Sequence, residues 1–208
     1  MKKRIGLIVS LIFAAAIAFS LWQINKPITI AIQPFEQIDQ NIIDSIAQNL
    51  SEKYGAEVKI LETTDLPKTA YYSPRNRYRA DSLITYLKRE RNKTHDFVLG
   101  LTTKDISTTK GQHIDWGIFG LGYRPGPSCI VSTFRLKTVD QELFLNRLEK
   151  VALHEIGHNL GLPHCNNHNL CVMNDAHGTI KEVDDNNHNV CRACKLKMGL
   201  NKVINCAW

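Results

Sequence analysis

Three imidazoles and a carboxylate fall within one short stretch, His154, Glu155, His158 and His164 of HEIGHNLGLPH. On a helix, positions four apart lie one turn apart on the same face, so His154 and His158 can aim nitrogens at a single metal ion. Glu155 follows the first of them and can address a water at that metal. Gly161 allows the chain to leave the helix sharply, which would bring His164 round as a third ligand. Three neutral imidazoles leave zinc one position open to water, the catalytic rather than the structural arrangement. Zinc lowers the pKa of such a water to roughly 7. HExxH alone describes equally well two surface histidines beside an ordinary glutamate. The extended HExxHxxGxxH is far more specific, because each residue type has a geometric task. The expected chemistry is hydrolysis of peptide bonds in a peptide or protein substrate, with Glu155 as general base. The alternative is a zinc-stabilised module that binds peptides without cleaving them.

A second set of ligands follows at once. Cys165 adjoins His164, Cys171-Val172-Met173 comes next, and Cys191-Arg192-Ala193-Cys194 follows later. CxxC is a recurring zinc half-site, and Cys165 with Cys171 could supply the other half. Disulfides are the rival, made serious if the chain is exported. Two such pairs flanking a metal motif suit chelation better than bridging. Cys129 and Cys206 stay outside this set and could pair with each other or remain as small apolar residues. His95, His113, His177 and His188 read as ordinary surface or loop residues.

The order HExxHxxGxxHC, then CxM, then CxxC resembles the archaemetzincin family of zinc metallopeptidases, within the metzincins. The resemblance implies that His154, His158 and His164 bind a catalytic zinc and that Glu155 is the general base. It implies Met173 as the Met-turn residue beneath that metal, and Cys165, Cys171, Cys191 and Cys194 as ligands of a second, structural zinc. Two zinc ions are therefore expected. Motif-level matching covers residues 154 to 194; upstream, only the order of strands and helices is similar. Five residues, Asn166 to Leu170, separate the first two cysteines, one more than the family pattern leads one to expect. That makes His168, inside the loop, a possible substitute ligand.

These side chains need a frame. Thr138 and Gln141 have capping-box spacing and predict the start of a long helix. Leu145, Leu148, Ala152, Ile156 and Leu160 form its apolar face, and Gly161 and Pro163 stop it. Upstream, Pro27 to Phe35 reads as a strand with Ile28, Ile30 and Ile32 alternating. Gln37 to Tyr54 reads as an amphipathic helix closed by Gly55, and Glu57 to Leu61 as a second strand. This β-α-β order predicts parallel pairing. A helix is expected at Tyr78 to Arg91, with strands at Phe97 to Leu101, Ile114 to Phe119 and Cys129 to Leu136. By analogy with the metzincins it resembles, the last is read as an edge able to pair with an extended substrate. Gly117, Gly120 and Gly122 have the wrong spacing for a nucleotide loop and suit turns at a sheet edge. The expected fold is α/β (α+β), a metzincin-like twisted mixed sheet with the active-site helix and a small zinc-bearing C-terminal part.

The formal charge of +6 includes Lys2, Lys3 and Arg4 at the extreme N-terminus; without those three, +3 remains. So modest a charge, with no basic aromatic-lined face, argues against a nucleic-acid partner and against reading the cysteines as a nucleic-acid-binding ribbon. Ile5 to Trp22 carries no charge, and a short basic head precedes it. This pattern predicts residues 1–26 as a signal peptide or N-terminal membrane anchor. The metallopeptidase domain, residues 27–208, is then exported: secreted, periplasmic, or membrane-anchored outside the cytoplasm.

Overall fold

The computed structural model describes residues 26–166 and 171–205. The N-terminal apolar run, His168 and Cys206 lie outside these. No helix among the described residues is long and apolar enough to cross a membrane.

The first strand, β1 (Thr29–Pro34), leads into helix α1 (Gln40–Tyr54) and returns as β2 (Glu57–Ile60), paired parallel to β1. Asp39 caps α1 by accepting from the Asn41 N–H at 2.9 Å. Gly55 ends it at φ +61°, a left-handed conformation that costs a glycine little. Two short strands, β3 (Tyr71–Tyr72) and β4 (Arg77–Arg79), precede helix α2 (Ala80–Glu90). Next come β5 (Phe97–Thr102), β6 (Ile106–Lys110), β7 (His113–Ile118), β8 (Gly120–Gly122) and β9 (Ser128–Ser132). Three helices complete the order: α3 (Gln141–Asn159), α4 (Ile180–Asp185) and α5 (Arg192–Asn205).

The main sheet runs β2-β1-β5-β9-β8. Its first four strands are parallel, and β8 pairs antiparallel with β9. A second sheet runs β3-β4-β6-β7. Alternation along each strand sends successive side chains to opposite faces of the main sheet. Ile30, Ile32, Leu99, Leu101 and Val131 join Ile46 and Leu50 of α1 and Leu148, Ala152 and Ile156 of α3 in one core. Ala31, Val98 and Ile130 face the other way and pack on Leu83, Ile84 and Leu87 of α2. The chain is thus layered helix, sheet, helix, with the α3 side carrying the site.

Three expectations shift. The cap of α3 is Asp140, whose Oδ1 accepts from the Leu143 N–H at 3.0 Å, two residues beyond Thr138. The strand expected over 129–136 ends at Ser132 and lies between β5 and β8, so the outermost strand there is β8. The strand expected over 114–119 is β7, and its antiparallel partner β6 was not foreseen, because ISTTK offers little apolar alternation.

Candidate active site

His154 and His158 stand one turn apart on α3. The Nδ1 of His154 bonds to the carbonyl of Val172 at 2.8 Å, and the Nδ1 of His158 to that of Leu162 at 2.8 Å. A carbonyl only accepts, so each Nδ1 carries the proton and each Nε2 keeps its lone pair for a metal. Gly161, at φ +87°, turns the chain out of α3 as expected. His164 then joins the other two, and ligand atoms of all three lie within 4.8 Å of one another. His164 is the open member; its Nδ1 meets the Asp175 carboxylate at 3.3 Å. Burial lowers the pKa of His154 to about 3, helped by the neighbouring His158, and lowers that of His158 to about 4. The His164 value falls too, again chiefly from burial. All three are therefore neutral at physiological pH, the form that binds metal.

Glu155 is buried beside them, and desolvation raises its pKa to about 8 in the metal-free site. Strand β8 lies against it so closely that only glycine fits. A Cβ on Gly120 would come within 2.8 Å of the Glu155 Cγ and Oε1, and one on Gly122 within 2.9 Å of its backbone oxygen. The two glycines, expected only to shape turns at a sheet edge, let that edge approach the carboxylate.

Met173 is fully buried under α3, where a Cβ on Gly157 would come within 2.3 Å of its Sδ. The glycine inside HEIGH thus makes room for the methionine, a pairing no spacing rule signals. Tyr54, at the end of α1, donates to the Leu153 carbonyl at 2.7 Å and braces the same turn.

The four cysteines also converge. Cys165 and Cys191 have their Sγ atoms 3.8 Å apart, as do Cys171 and Cys194, and all four sulfurs lie within 4.8 Å of one another. A tetrahedron of sulfurs about 2.3 Å from zinc has edges of about 3.8 Å, so the set fits that ion. A disulfide would bring two sulfurs to about 2.05 Å; among the described residues no disulfide joins any of these cysteines or the buried Cys129. His95, His113 and His177 line no metal cluster among the described residues. His188 is more than a loop residue: its Nε2 lies 3.1 Å from the Glu149 carboxylate and ties the C-terminal segment to α3.

The histidines open on a cleft of about 520 Å³ between β8 and the loop after Met173. Trp116 of β7 reaches across to Gly178, where a Cβ would come within 3.3 Å of its Nε1. Asp175, Lys150 and Arg124 line the cleft as well, and spacing gave no sign of them.

Neutral imidazoles converging beside a buried carboxylate, at the foot of a cleft edged by a β-strand, define a zinc-dependent peptidase of mixed α/β fold. Comparison with known proteins agrees. The sequence model of peptidase family M54 matches residues 25–200. The archaemetzincin of Halobacterium salinarum is 32% identical over 173 residues, covering 79% of this chain and 95% of that one. The crystal structure of archaemetzincin from Methanopyrus kandleri aligns with a TM-score of 0.74 at 34% identity, over 84% of this chain and 95% of that one. That of Archaeoglobus fulgidus, complexed with malonate, aligns with a TM-score of 0.70 at 34% identity, over 82% and 99%. The chain belongs to peptidase family M54, among the archaemetzincins, and is a zinc metallopeptidase.

Proposed function

We propose that this peptidase works through Glu155 as general base, with His154, His158 and His164 holding a catalytic zinc and the four cysteines a structural one. The observation that carries the reading is the pairing of two Nδ1-anchored imidazoles on one helix face with a buried carboxylate that follows the first of them. Zinc at the histidines would supply Lewis acidity, making a water more acidic and a carbonyl more electrophilic. The chain's own groups do the rest. The Val172 and Leu162 carbonyls hold two imidazoles in the right tautomer, and Asp175 orients the third. Glu155 takes the proton of the attacking water and passes it to the leaving amine. Strand β8, outermost in its sheet, offers backbone groups on which an extended peptide can lie. Met173 supports the floor of the site from beneath α3.

The uncharged run from Ile5 to Trp22 supports residues 1–26 as an export signal or membrane anchor, with the peptidase domain after it, outside the cytoplasm. A family match that begins at residue 25 supports treating the preceding run as a separate segment.

Glu155→Gln tests the mechanism. The variant keeps its zinc by elemental analysis and loses hydrolysis by about 10²- to 10⁴-fold, the usual contribution of a general base. Undiminished turnover in a zinc-loaded variant overturns the general-base role.

A further inference from the structure

The cleft runs past the histidines toward the N-terminal end of α3, where it meets a charge that the hydrolysis above does not use. Lys150 lies one helical turn before His154, lines the same cleft, and is only 8% exposed. Its Nζ donates to the carbonyls of Val183 at 3.1 Å and Asp184 at 3.0 Å, both in α4. An ammonium has three donors. Two hold α4 in place, and one is left for whatever enters. Val151, Val172, Ala176 and Val183 make the surrounding wall apolar.

The nearby carboxylates are engaged elsewhere. Asp184 places one oxygen 2.6 Å from Arg147 Nε and the other 2.7 Å from a terminal guanidinium nitrogen of the same residue. Asp185 pairs with Lys181. Lys110 and Arg124 also line the cleft, but both are exposed, where water and salt weaken their fields. Lys150 is the cleft's buried cation. A largely buried cation with a donor to spare discriminates strongly against ligands that cannot satisfy it.

We propose that Lys150 is a specificity-determining residue that selects an acidic side chain, glutamate foremost, on a substrate residue next to the scissile bond. The methylenes of the glutamate lie along the valine-lined wall, and its carboxylate reaches the remaining donor of Lys150. Four residues of helix, a rise of about 6 Å, separate Lys150 from His154, which keeps this contact adjacent to the reacting bond. The inference rests on the peptidase reading for its substrate, while the pocket itself can be probed by binding alone.

The test uses the zinc-loaded full chain and two peptidyl hydroxamates that differ only in glutamate or glutamine at the side chain entering the pocket. The glutamate compound is expected to bind about tenfold tighter, as a charge-assisted hydrogen bond allows. In Lys150→Met, which keeps an unbranched apolar stem, the ratio falls to about one. Equal binding in the wild type overturns the proposal. So does a preference that persists in folded Lys150→Met, because it then belongs to Arg124 or Lys110. If Lys150→Met does not fold, salt decides: a preference seated on buried Lys150 survives high ionic strength, and one seated on the exposed cations collapses. Failure of both compounds to bind overturns the pocket and the peptidase reading together. A retained ratio with no hydrolysis of any peptide removes the peptidase reading alone, and equal binding with hydrolysis intact removes the pocket alone.

Discussion

The histidine and cysteine clusters share one stretch of chain but are built in opposite ways. Two of the three histidines are held before any metal arrives: α3 sets their spacing, and backbone carbonyls fix their rings. The third stays half open on Asp175, at the mouth of a cleft. The cysteines come from the segments on either side of α4 and from the start of α5, and their four sulfurs face one another. Carbonyl-anchored rings with an open side suit a site that must admit substrate; closure by four thiols from separate segments suits one that contributes to folding. The two are also linked. The Cys165 N–H donates to the Met173 carbonyl at 2.8 Å, and Val172, whose carbonyl holds His154, lies between Cys171 and Met173. The cysteine cluster therefore fixes the segment that aims His154.

Removing a cysteine should have the largest effect on this contrast. Cys171→Ser is expected to lose one zinc per chain and several kcal/mol of stability, given roughly 10–16 kcal/mol for structural zinc in small zinc domains. Hydrolysis should fall with it, because the Val172 segment loosens. His158→Ala should instead lose the other zinc and all activity while melting within a few degrees of wild type. Equal losses of melting temperature in the two variants would erase the distinction between an open and a closed site.

Acid should separate the clusters next. His154 and His158, with pKa values lowered to about 3 and about 4 by burial, need shed no proton to bind metal at neutral pH. Burial raises the thiols of Cys171 and Cys194, with neighbouring cysteines adding to the shift at Cys194, so a zinc bound there would displace protons. Occupancy of the cysteine site should therefore fall more steeply as pH drops, with more protons released per zinc on calorimetric titration. The sign for folding follows the same histidine values. Their depressed pKa gives stability that is present above about 6.5 and is lost as pH falls toward 4 and 3. Glu155, raised to about 8, acts oppositely in the metal-free site: its contribution is present below about 4.5 and is lost as pH rises toward 8.

A smaller effect is expected from Gly157→Ala. The added methyl would meet the Met173 Sδ at 2.3 Å, and Met173 is fully buried with little room to yield. Overpacking of this kind costs about 1–3 kcal/mol. Because Met173 follows Val172 directly, activity should fall further than stability while the cysteine zinc is retained. Loss of the cysteine zinc instead would show that the methionine braces both sites equally.

How much of this was legible in advance follows the range of each interaction. His154, Glu155, His158, Gly161 and His164 could be read because the helical period and one glycine determine their geometry locally. The parallel pairing of β1 and β2 could be read from alternating isoleucines around an amphipathic helix. Strand β6 was missed because its single strong apolar residue, Ile106, gives no period, and its outer end is exposed. Gly120 against Glu155, Gly157 against Met173, His188 against Glu149 and Lys150 beneath the cleft are contacts between distant segments. No spacing rule carries them, and each becomes visible only when β8, α3 and the C-terminal segment are packed together.

Tyr54→Phe should have the least effect, and it sharpens the comparison because its one hydrogen bond goes to the helix that carries the histidines. Burial pushes the Tyr54 phenol far above its ordinary pKa, so the hydroxyl is a neutral donor throughout the accessible pH range. Its bond to Leu153 fastens α1 to the turn that carries His154. The Leu153 carbonyl lies inside α3, where the helix supplies its own donor four residues on, so losing the phenol leaves no bare acceptor. The expected cost is therefore only that of one ordinary hydrogen bond, about 0.5–1.5 kcal/mol by chemical denaturation. Both zincs should remain, and hydrolysis should change by less than about threefold, since the helical period still aligns the two histidines. The hydroxyl would also lie 3.2 Å from a methyl at Gly157. Tyr54→Phe combined with Gly157→Ala should then cost less than the two separately, by a few tenths of a kcal/mol. Strict additivity would mean that Met173 alone bears the overlap; a large drop in activity from Tyr54→Phe itself would mean that α3 relies on α1 to aim its histidines.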